Sequence, residues 1–337
     1  MRVWKSGIGA LFEGISARGS HLRLFSEAAM AAKTIGDGWK RGCIPRHNST
    51  FFDGAGPGML INTHDLALHL DDPQWVIFDC RYDLMDTGKG ERQYRQGHIP
   101  GAHLANLDTD LSGEKNGHNG RHPLPSPASF AAFLARHGVA QTSAIVAYDD
   151  AGGAYASRLW WMARWIGLQH VCLLDGGMPK WIAEGRALSQ EVPVPQPVAL
   201  QARPDPQMQC SAAEVQAHLD DPAFALVDAR SPERYRGDTE PIDPVAGHIP
   251  GAVNRFFKLN LNADLTLRPA AEIRQEFLDL AAGRQPGNVL HQCGSGVTAC
   301  MNVFAMEYAG LKGSKLFAGS WSEWIADPSR PIVEKED

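Results

Sequence analysis

Short apolar runs alternate along the chain with longer segments in which apolar residues recur every three or four positions. The short runs have the length of buried strands and occupy residues 75–81, 145–150, 224–230 and 288–292. Segments with helical spacing lie at 127–137, 154–166 and 270–280. Strands that alternate with helices are typical of parallel sheets with helices on both faces. The pattern therefore predicts an α/β fold.

The same plan occurs twice. Each half contains a strand that ends in Asp-x-Arg, at residues 79–81 and 228–230, and each later contains an identical Gly-His-Ile-Pro-Gly-Ala turn, at 97–102 and 247–252. An identity of six residues at matching places indicates an internal repeat. We expect the repeated turn to be structural, with its histidine holding the turn in both halves.

Each half also ends on a tryptophan, Trp181 in the first and Trp324 in the second. Alignment of the halves on these tryptophans places Asp150 opposite Cys293, so only the second half has a thiol at this position. The first half is therefore expected to be catalytically silent and to form part of the cleft wall.

The length of 337 residues fits two domains. We expect a first domain at residues 59–190 and a second at 209–331, joined by a proline-rich linker at 191–208. Residues 1–58 form a basic, glycine-interrupted leader that is expected to be disordered or outside the fold. A mitochondrial transit peptide is one interpretation of this leader, and a translation start at Met59 is another.

Composition excludes several classes of protein. The net charge of −6 gives no reason to expect a nucleic acid or an anionic membrane as partner, and no apolar run has the roughly 18 residues of a membrane span. Six cysteines occur without any Cys-x-x-Cys pair, which predicts neither a zinc site nor a disulfide framework. We expect a protein of a reducing compartment, the cytoplasm, or mitochondria if the leader is a transit peptide, without metal or cofactor.

The segment Cys293-Gly294-Ser295-Gly296-Val297-Thr298 carries the clearest chemical signal. It follows a predicted strand and precedes a predicted helix, so the thiol lies at a helix N-terminus inside a glycine-rich turn. Backbone N–H groups and the helix dipole stabilise a thiolate at such a place, and the thiolate is the reactive form. Cys293 is therefore a predicted nucleophile, whereas Cys300 on the following helix is expected to be an inert core residue.

These marks resemble the two-domain form of the rhodanese family of sulfurtransferases over residues 59–331. The resemblance rests on the doubled turn, the Asp-x-Arg strand ends, the single cysteine loop and the segment Gly-Ser-Trp-x-Glu-Trp at 319–324. It implies two tandem rhodanese-like domains. The uncharged loop after Cys293 is similar to that of family members that use 3-mercaptopyruvate as sulfur donor, whereas members that prefer thiosulfate carry cationic side chains there.

The resemblance also implies a mechanism. Sulfur passes from 3-mercaptopyruvate to Cys293, which becomes a persulfide, and then to a thiol, thioredoxin or cyanide. Ser295 relays a proton to the leaving enolate. The remaining implied residues bind the substrate or the sulfur: Arg234, Gly294, Gly296, Val297 and Thr298. Further candidates are His122 for proton transfer and Arg158 for substrate binding. Asp228 is a candidate for supporting the cysteine loop without contacting the substrate.

One expected residue is missing. Members that use 3-mercaptopyruvate carry a second arginine shortly before the Gly-His-Ile-Pro turn, where this chain has none. Arg236, Arg158 or Arg255 could substitute, or the donor could differ. The alternatives are a thiosulfate:cyanide sulfurtransferase, a cysteine-dependent phosphatase and a non-catalytic binding module. A phosphatase would need an arginine where Ala299 stands.

Overall fold

A computed structural model describes residues 57–334, which form two five-stranded sheets. The first sheet contains β1 (Leu60–Ile61), β2 (Trp75–Asp79), β3 (Ala102–Leu104), β4 (Ala144–Tyr148) and β5 (Val171–Leu174). The second contains β6 (Gln209–Cys210), β7 (Ala225–Asp228), β8 (Val253–Asn254), β9 (Val289–Gln292) and β10 (Lys315–Phe317). The predicted leader lies outside the described residues, apart from Pro57 and Gly58.

Ten α-helices lie among the described residues. Those of the first half are α1 (Thr63–Ala67), α2 (Lys89–Gln96), α3 (Pro127–Arg136), α4 (Ala156–Trp165) and α5 (Gly177–Ala183). Those of the second are α6 (Ala212–Ala217), α7 (Pro232–Tyr235), α8 (Ala270–Ala281), α9 (Ala299–Tyr308) and α10 (Ser320–Trp324). The predicted helices α3, α4 and α8 end within two residues of their expected bounds. The proline-rich segment 191–205 contains neither helix nor strand.

Both sheets have the same strand order, β1-β5-β4-β2-β3 and β6-β10-β9-β7-β8, with every neighbouring pair parallel. All residues of the central strands β4 and β9 are buried, because helices cover both faces. In the first sheet, Ile145 contacts the core that includes α3 and α4, while Val146 contacts the core beneath α1 and α5. The α/β prediction is confirmed.

The two halves share one hydrophobic core where α4 packs on α9. The indole ring of Trp160 on α4 meets Phe304 on α9 edge to face, with ring centroids 5.0 Å apart. Trp161 stacks on Trp165 within the same core. The buried residues of α4 therefore join the first half to α9, the helix that follows the loop after Cys293.

The strand registers correct the alignment of the repeat. Asp79 pairs with Tyr148 in the first sheet, and Asp228 pairs with Gln292 in the second. The next residues, Asp149 and Cys293, are thus the structural equivalents, and the expected match of Asp150 with Cys293 is wrong. The loop between strand and helix is one residue longer in the first half, which displaced the sequence alignment.

The repeated turn is fastened by the Asp-x-Arg strand end in each half. Arg230 forms an ion pair with Asp228 and donates a hydrogen bond of 2.8 Å to the carbonyl of Gly247, and Arg81 does the same with Asp79 and Gly97. The turn histidines stack on nearby tyrosines and bond backbone carbonyls. Asp228 thus supports the turn through Arg230.

Burial of His291 on β9 predicts an acid-sensitive stability. The ring is fully buried, its Nε2 lies 3.1 Å from Met306 Sδ, and burial lowers its pKa to about 3. As the pH falls from about 6.5 towards 3, the unfolded chain binds a proton there that the folded chain does not, so stability decreases. In His291→Leu this contribution is absent. We therefore expect the stability of the variant to fall less steeply as the pH decreases. Between pH 7 and 4, its free energy of unfolding, measured in urea, should fall by up to about 1.4 kcal/mol less per pH unit than that of the unmodified protein.

The exposed His118 provides the control, since His118→Gln should leave this slope unchanged. Parallel slopes for His291→Leu and the unmodified protein would contradict a neutral, buried His291.

Candidate active site

Cys293 directly follows strand β9 and begins a loop that leads into α9 at Ala299. The residue is 2% exposed. In the described part of the chain, the six successive backbone N–H groups from Gly294 to Ala299 have no hydrogen-bond acceptor. Unpaired N–H groups around a buried sulfur are costly unless an anion uses them. The loop is therefore built to hold a negative charge at the position of the sulfur.

The equivalent loop of the first half shows the same arrangement with the anion in place. The buried carboxylate of Asp149 accepts hydrogen bonds of 2.8–2.9 Å from the backbone N–H groups of Ala151, Gly153, Tyr155 and Ala156. A carboxylate thus occupies the first loop where the second presents a thiol. This parallel supports an anion-binding role for the loop after Cys293.

Close backbone packing fixes the shape of the cysteine loop. Gly296 has a φ of +71°, and a Cβ there would lie 2.0 Å from the carbonyl oxygen of Ala318. The backbone N–H of Cys293 donates to Ser320 Oγ at 3.0 Å, and the N–H of Trp321 donates to the Cys293 carbonyl at 3.0 Å. The glycine predicted for a tight turn is thus required by a neighbouring strand end. Thr298 precedes α9 without forming a side-chain cap.

A chain of polar groups extends from the loop into the first half. Ser295 Oγ lies 2.8 Å from His122 Nδ1, and His122 Nε2 lies 3.5 Å from Asp108 Oδ1. Tyr82 donates a hydrogen bond of 2.7 Å to the other oxygen of Asp108. Burial, reinforced by the charge of Arg121, lowers the pKa of His122 to about 3, so the imidazole is neutral near pH 7. A neutral imidazole between a hydroxyl and a carboxylate can exchange protons with the hydroxyl.

Two guanidinium groups flank the cysteine loop. A Cβ placed on Gly294 would lie 3.0 Å from Nη2 of Arg121 and 3.4 Å from Nη1 of Arg234. Within the described residues these two nitrogens have no acceptor. Nη1 of Arg121 pairs with Asp243, Nε of Arg121 is buried without a partner in this part of the chain, and Nε and Nη2 of Arg234 pair with Glu240 and Asp243. One free donor from each arginine therefore points to the same small space.

Sequence reasoning placed Arg234 here but missed Arg121 and Asp108. Both belong to the first half and carry no motif, although Arg121 directly precedes the candidate His122. The suggested substitutes for the missing arginine lie elsewhere. Arg236 is exposed beside Asp238, Arg255 is buried against Glu276 and Phe277, and Arg158 bonds backbone carbonyls behind the loop.

A small cavity of about 80 Å³ opens above the thiol. Its lining combines apolar residues with both arginines. The lining residues are Leu84, Leu107, Arg121, His122, Tyr155, Arg234, Cys293, Gly294, Ser295, Val297 and Thr298. Among residues 57–334, no cluster of His, Cys, Asp and Glu is arranged to hold a metal ion, and no helix is long and apolar enough to cross a bilayer. The size and charge of the cavity suit a small anion.

Comparison with known proteins supports this picture. The chain is 46% identical over 276 residues to a probable 3-mercaptopyruvate sulfurtransferase of Pseudomonas aeruginosa, covering 81% of this chain and 97% of that protein. It is 37% identical to a putative thiosulfate sulfurtransferase, SseB, of Mycobacterium tuberculosis, covering 81% of this chain and 96% of that one.

Among solved structures, 3-mercaptopyruvate sulfurtransferase from Leishmania major superimposes with a TM-score of 0.70 at 31% identity, covering 80% of this chain and 74% of that one. The family model of the rhodanese-like domain matches residues 62–184 and 211–327, one match for each sheet. With a doubled fold, a single cysteine loop and these matches, the chain belongs to the rhodanese-like family.

Proposed function

We propose that the protein is a sulfurtransferase that takes a sulfur atom from 3-mercaptopyruvate and passes it to a thiol or cyanide through a persulfide on Cys293. The observation that carries this proposal is the loop of six unpaired N–H groups around the buried thiol. These donors favour a thiolate before transfer and a persulfide anion after it, as an oxyanion hole favours an alkoxide.

The transfer proceeds in two halves. The Cys293 thiolate attacks the donor sulfur, an S–S bond forms, and the C–S bond breaks with its electron pair leaving as pyruvate enolate. Ser295 donates a proton towards the enolate and regains one through His122, which Asp108 orients. A second nucleophile then attacks the outer sulfur and restores the Cys293 thiolate.

The two free guanidinium nitrogens support a carboxylate-bearing donor. Nη2 of Arg121 and Nη1 of Arg234 converge beside Gly294, which gives the donor carboxylate one hydrogen bond from each half of the protein. Arg121 thereby fills the role of the arginine that is missing before the turn.

For the first domain we propose residues 59–190, with no catalytic thiol but with Arg121, His122 and Asp108 in the site. The linker is placed at 191–208 and the second domain at 209–331.

The acceptor must reach the outer sulfur through the same small opening. Cyanide and low-molecular-weight thiols fit a cavity of about 80 Å³ directly, and an exposed cysteine of thioredoxin could approach the opening from outside. The described cysteines are all unpaired thiols, which suits a reducing compartment such as the cytoplasm.

Thiosulfate is the second candidate donor. Two guanidinium groups so close to the loop could bind its sulfonate end. Asp243 and Glu240 already balance these two charges, however, and the loop itself adds no cation. The small net charge favours a monoanion over a dianion.

Steady-state turnover with each donor tests the proposal. We expect a higher kcat/KM with 3-mercaptopyruvate than with thiosulfate. In Arg121→Gln, the KM for 3-mercaptopyruvate should rise roughly tenfold or more, because one charge-assisted hydrogen bond to the carboxylate is lost. Pyruvate release and thiocyanate formation from cyanide measure the two half-reactions.

Arg236→Gln is the matched control, since this exposed arginine lies near the turn but outside the cavity, and its KM should equal that of the unmodified protein. A faster reaction with thiosulfate would make thiosulfate the donor. Equal KM values for Arg121→Gln and Arg236→Gln would remove Arg121 from substrate binding.

A further inference from the structure

Arg158 on α4 is a buried charge whose partners do not include an anion. Its side chain is fully buried behind the cysteine loop, where Nη1 donates to the Gly296 carbonyl at 3.0 Å and Nη2 donates to the His122 carbonyl at 3.0 Å. In the described part of the chain, Nε has no hydrogen-bond partner. Within residues 57–334, no carboxylate forms an ion pair with this guanidinium. A buried cation without a counter-charge is costly, so its retention needs a reason.

The other fully buried arginines show how this fold normally treats such a group. Arg81 and Arg230 each form an ion pair with the aspartate two residues earlier, and Arg255 pairs with Glu276. Arg158 differs from all three. The anion that balances it must therefore be one that is not a carboxylate.

Two thiols interact electrostatically with Arg158: that of Cys300, which has the larger effect and also lies within hydrogen-bond reach, and that of Cys293. Burial raises the pKa of Cys300 to about 12, and its Sγ donates to the Gly296 carbonyl at 3.3 Å, so this thiol stays neutral. Cys293 is the remaining candidate. Its sulfur is the one that the proposed reaction makes anionic, both as thiolate and as persulfide.

The hydrogen bond from Arg158 also orients the loop. In a trans peptide the carbonyl and the N–H of the next residue point in opposite directions. Because Arg158 holds the Gly296 carbonyl on one side of the loop, the N–H of Val297 points to the opposite side, away from Arg158. Arg158 further holds the His122 carbonyl, so one side chain fixes both halves of the site.

The other charges that face Cys293 are already balanced or neutral. Arg121 and Arg234 are paired with Asp243 and Glu240, and His122 is neutral. Asp108 lies beyond His122. Arg158 is thus the one unbalanced charge among these groups.

We propose that Arg158 is a positioning residue of the silent domain whose charge is balanced by the anionic sulfur of Cys293 and whose hydrogen bonds orient the sulfur-binding loop. This inference rests on the persulfide function proposed above, and it assigns to the first domain the counter-charge of the reacting sulfur.

The test measures the reactivity of Cys293 without any sulfur donor. Alkylation of Cys293 by iodoacetamide is followed by peptide mass spectrometry across a pH series in the full-length protein. In Arg158→Met the alkylation rate at neutral pH should fall about tenfold or more, and the acid limb of the rate profile should move to higher pH, because the neutral thiol is favoured. Arg158→Lys keeps the charge but cannot hold both carbonyls in the same way, so its rate should fall less than that of Arg158→Met and its acid limb should stay in place.

Arg164→Met is the matched control, since Arg164 lies on the same helix and bonds exposed Gln169. An alkylation profile of folded Arg158→Met equal to that of Arg164→Met would overturn the proposal. If Arg158→Met does not fold, Arg158→Lys decides, and an acid limb moved to higher pH there would overturn the proposal equally. Alkylation needs no persulfide, so a protein that fails to transfer sulfur but shows the predicted shift contradicts the proposed function and not this inference.

Discussion

Cys293→Ser is expected to abolish sulfur transfer, with a loss of roughly 10⁴-fold or more in kcat. A serine hydroxyl is a far weaker nucleophile towards sulfur than a thiolate and cannot form a persulfide. The substitution removes little volume from a residue that is 2% exposed, so the fold should persist. Intact-protein mass spectrometry after exposure to 3-mercaptopyruvate should show the mass of one added sulfur atom in the unmodified protein and none in the variant.

Cys300→Ser is the matched control because it changes a neutral, fully buried thiol on α9, the helix that follows the cysteine loop. It should gain the sulfur atom normally. Sulfur gain in Cys293→Ser, or its loss in Cys300→Ser alone, would mean that the carrier thiol has been assigned to the wrong residue.

His122→Gln is expected to lower kcat with 3-mercaptopyruvate by about 10²–10⁴-fold while KM changes little. Glutamine preserves much of the volume but cannot exchange a proton with Ser295, which lies 2.8 Å from His122 Nδ1. Because burial lowers the pKa of His122 to about 3, the ring is neutral across the pH range in which most enzymes are assayed. Protonation of His122 should therefore not produce a loss of activity between about pH 5 and 8.

His118→Gln tests the specificity of this effect, since His118 is exposed in the same loop of the first domain. Its kcat should be unchanged. A kcat for His122→Gln that equals the kcat of His118→Gln would show that Ser295 obtains its proton from elsewhere.

Much of this architecture followed from local patterns in the sequence. Buried parallel strands are continuous apolar runs, and the cysteine loop combines a strand end, two glycines and a helix start, so both could be located without a structure. The repeat fixed the number of sheets. It misled the alignment at Asp149, because the two loops differ by one residue in length and have little sequence in common that would reveal the offset.

The contribution of the first half to the site could not be predicted in the same way. Arg121 enters the site, and Asp108 contacts it through His122, because the first half packs on the second through α4 and α9 and through the contact of Arg121 with Ser322. No periodicity records a contact between residues so far apart in the sequence. The environment of Arg158 was equally hidden, since a helical arginine beside three tryptophans gives no indication of which carbonyls it binds.

The aspartate in the first loop has a practical consequence. Because Asp149 already occupies the amides of Ala151, Gly153, Tyr155 and Ala156, these amides do not compete for donor anions or for inhibitors in which a carboxylate mimics the persulfide. The described chain thus has two loops of the same kind, one after Cys293 with unpaired amides and one whose amides bind Asp149. The hydrogen bonds of Asp149 show which contacts an inhibitor would need to make in the loop after Cys293.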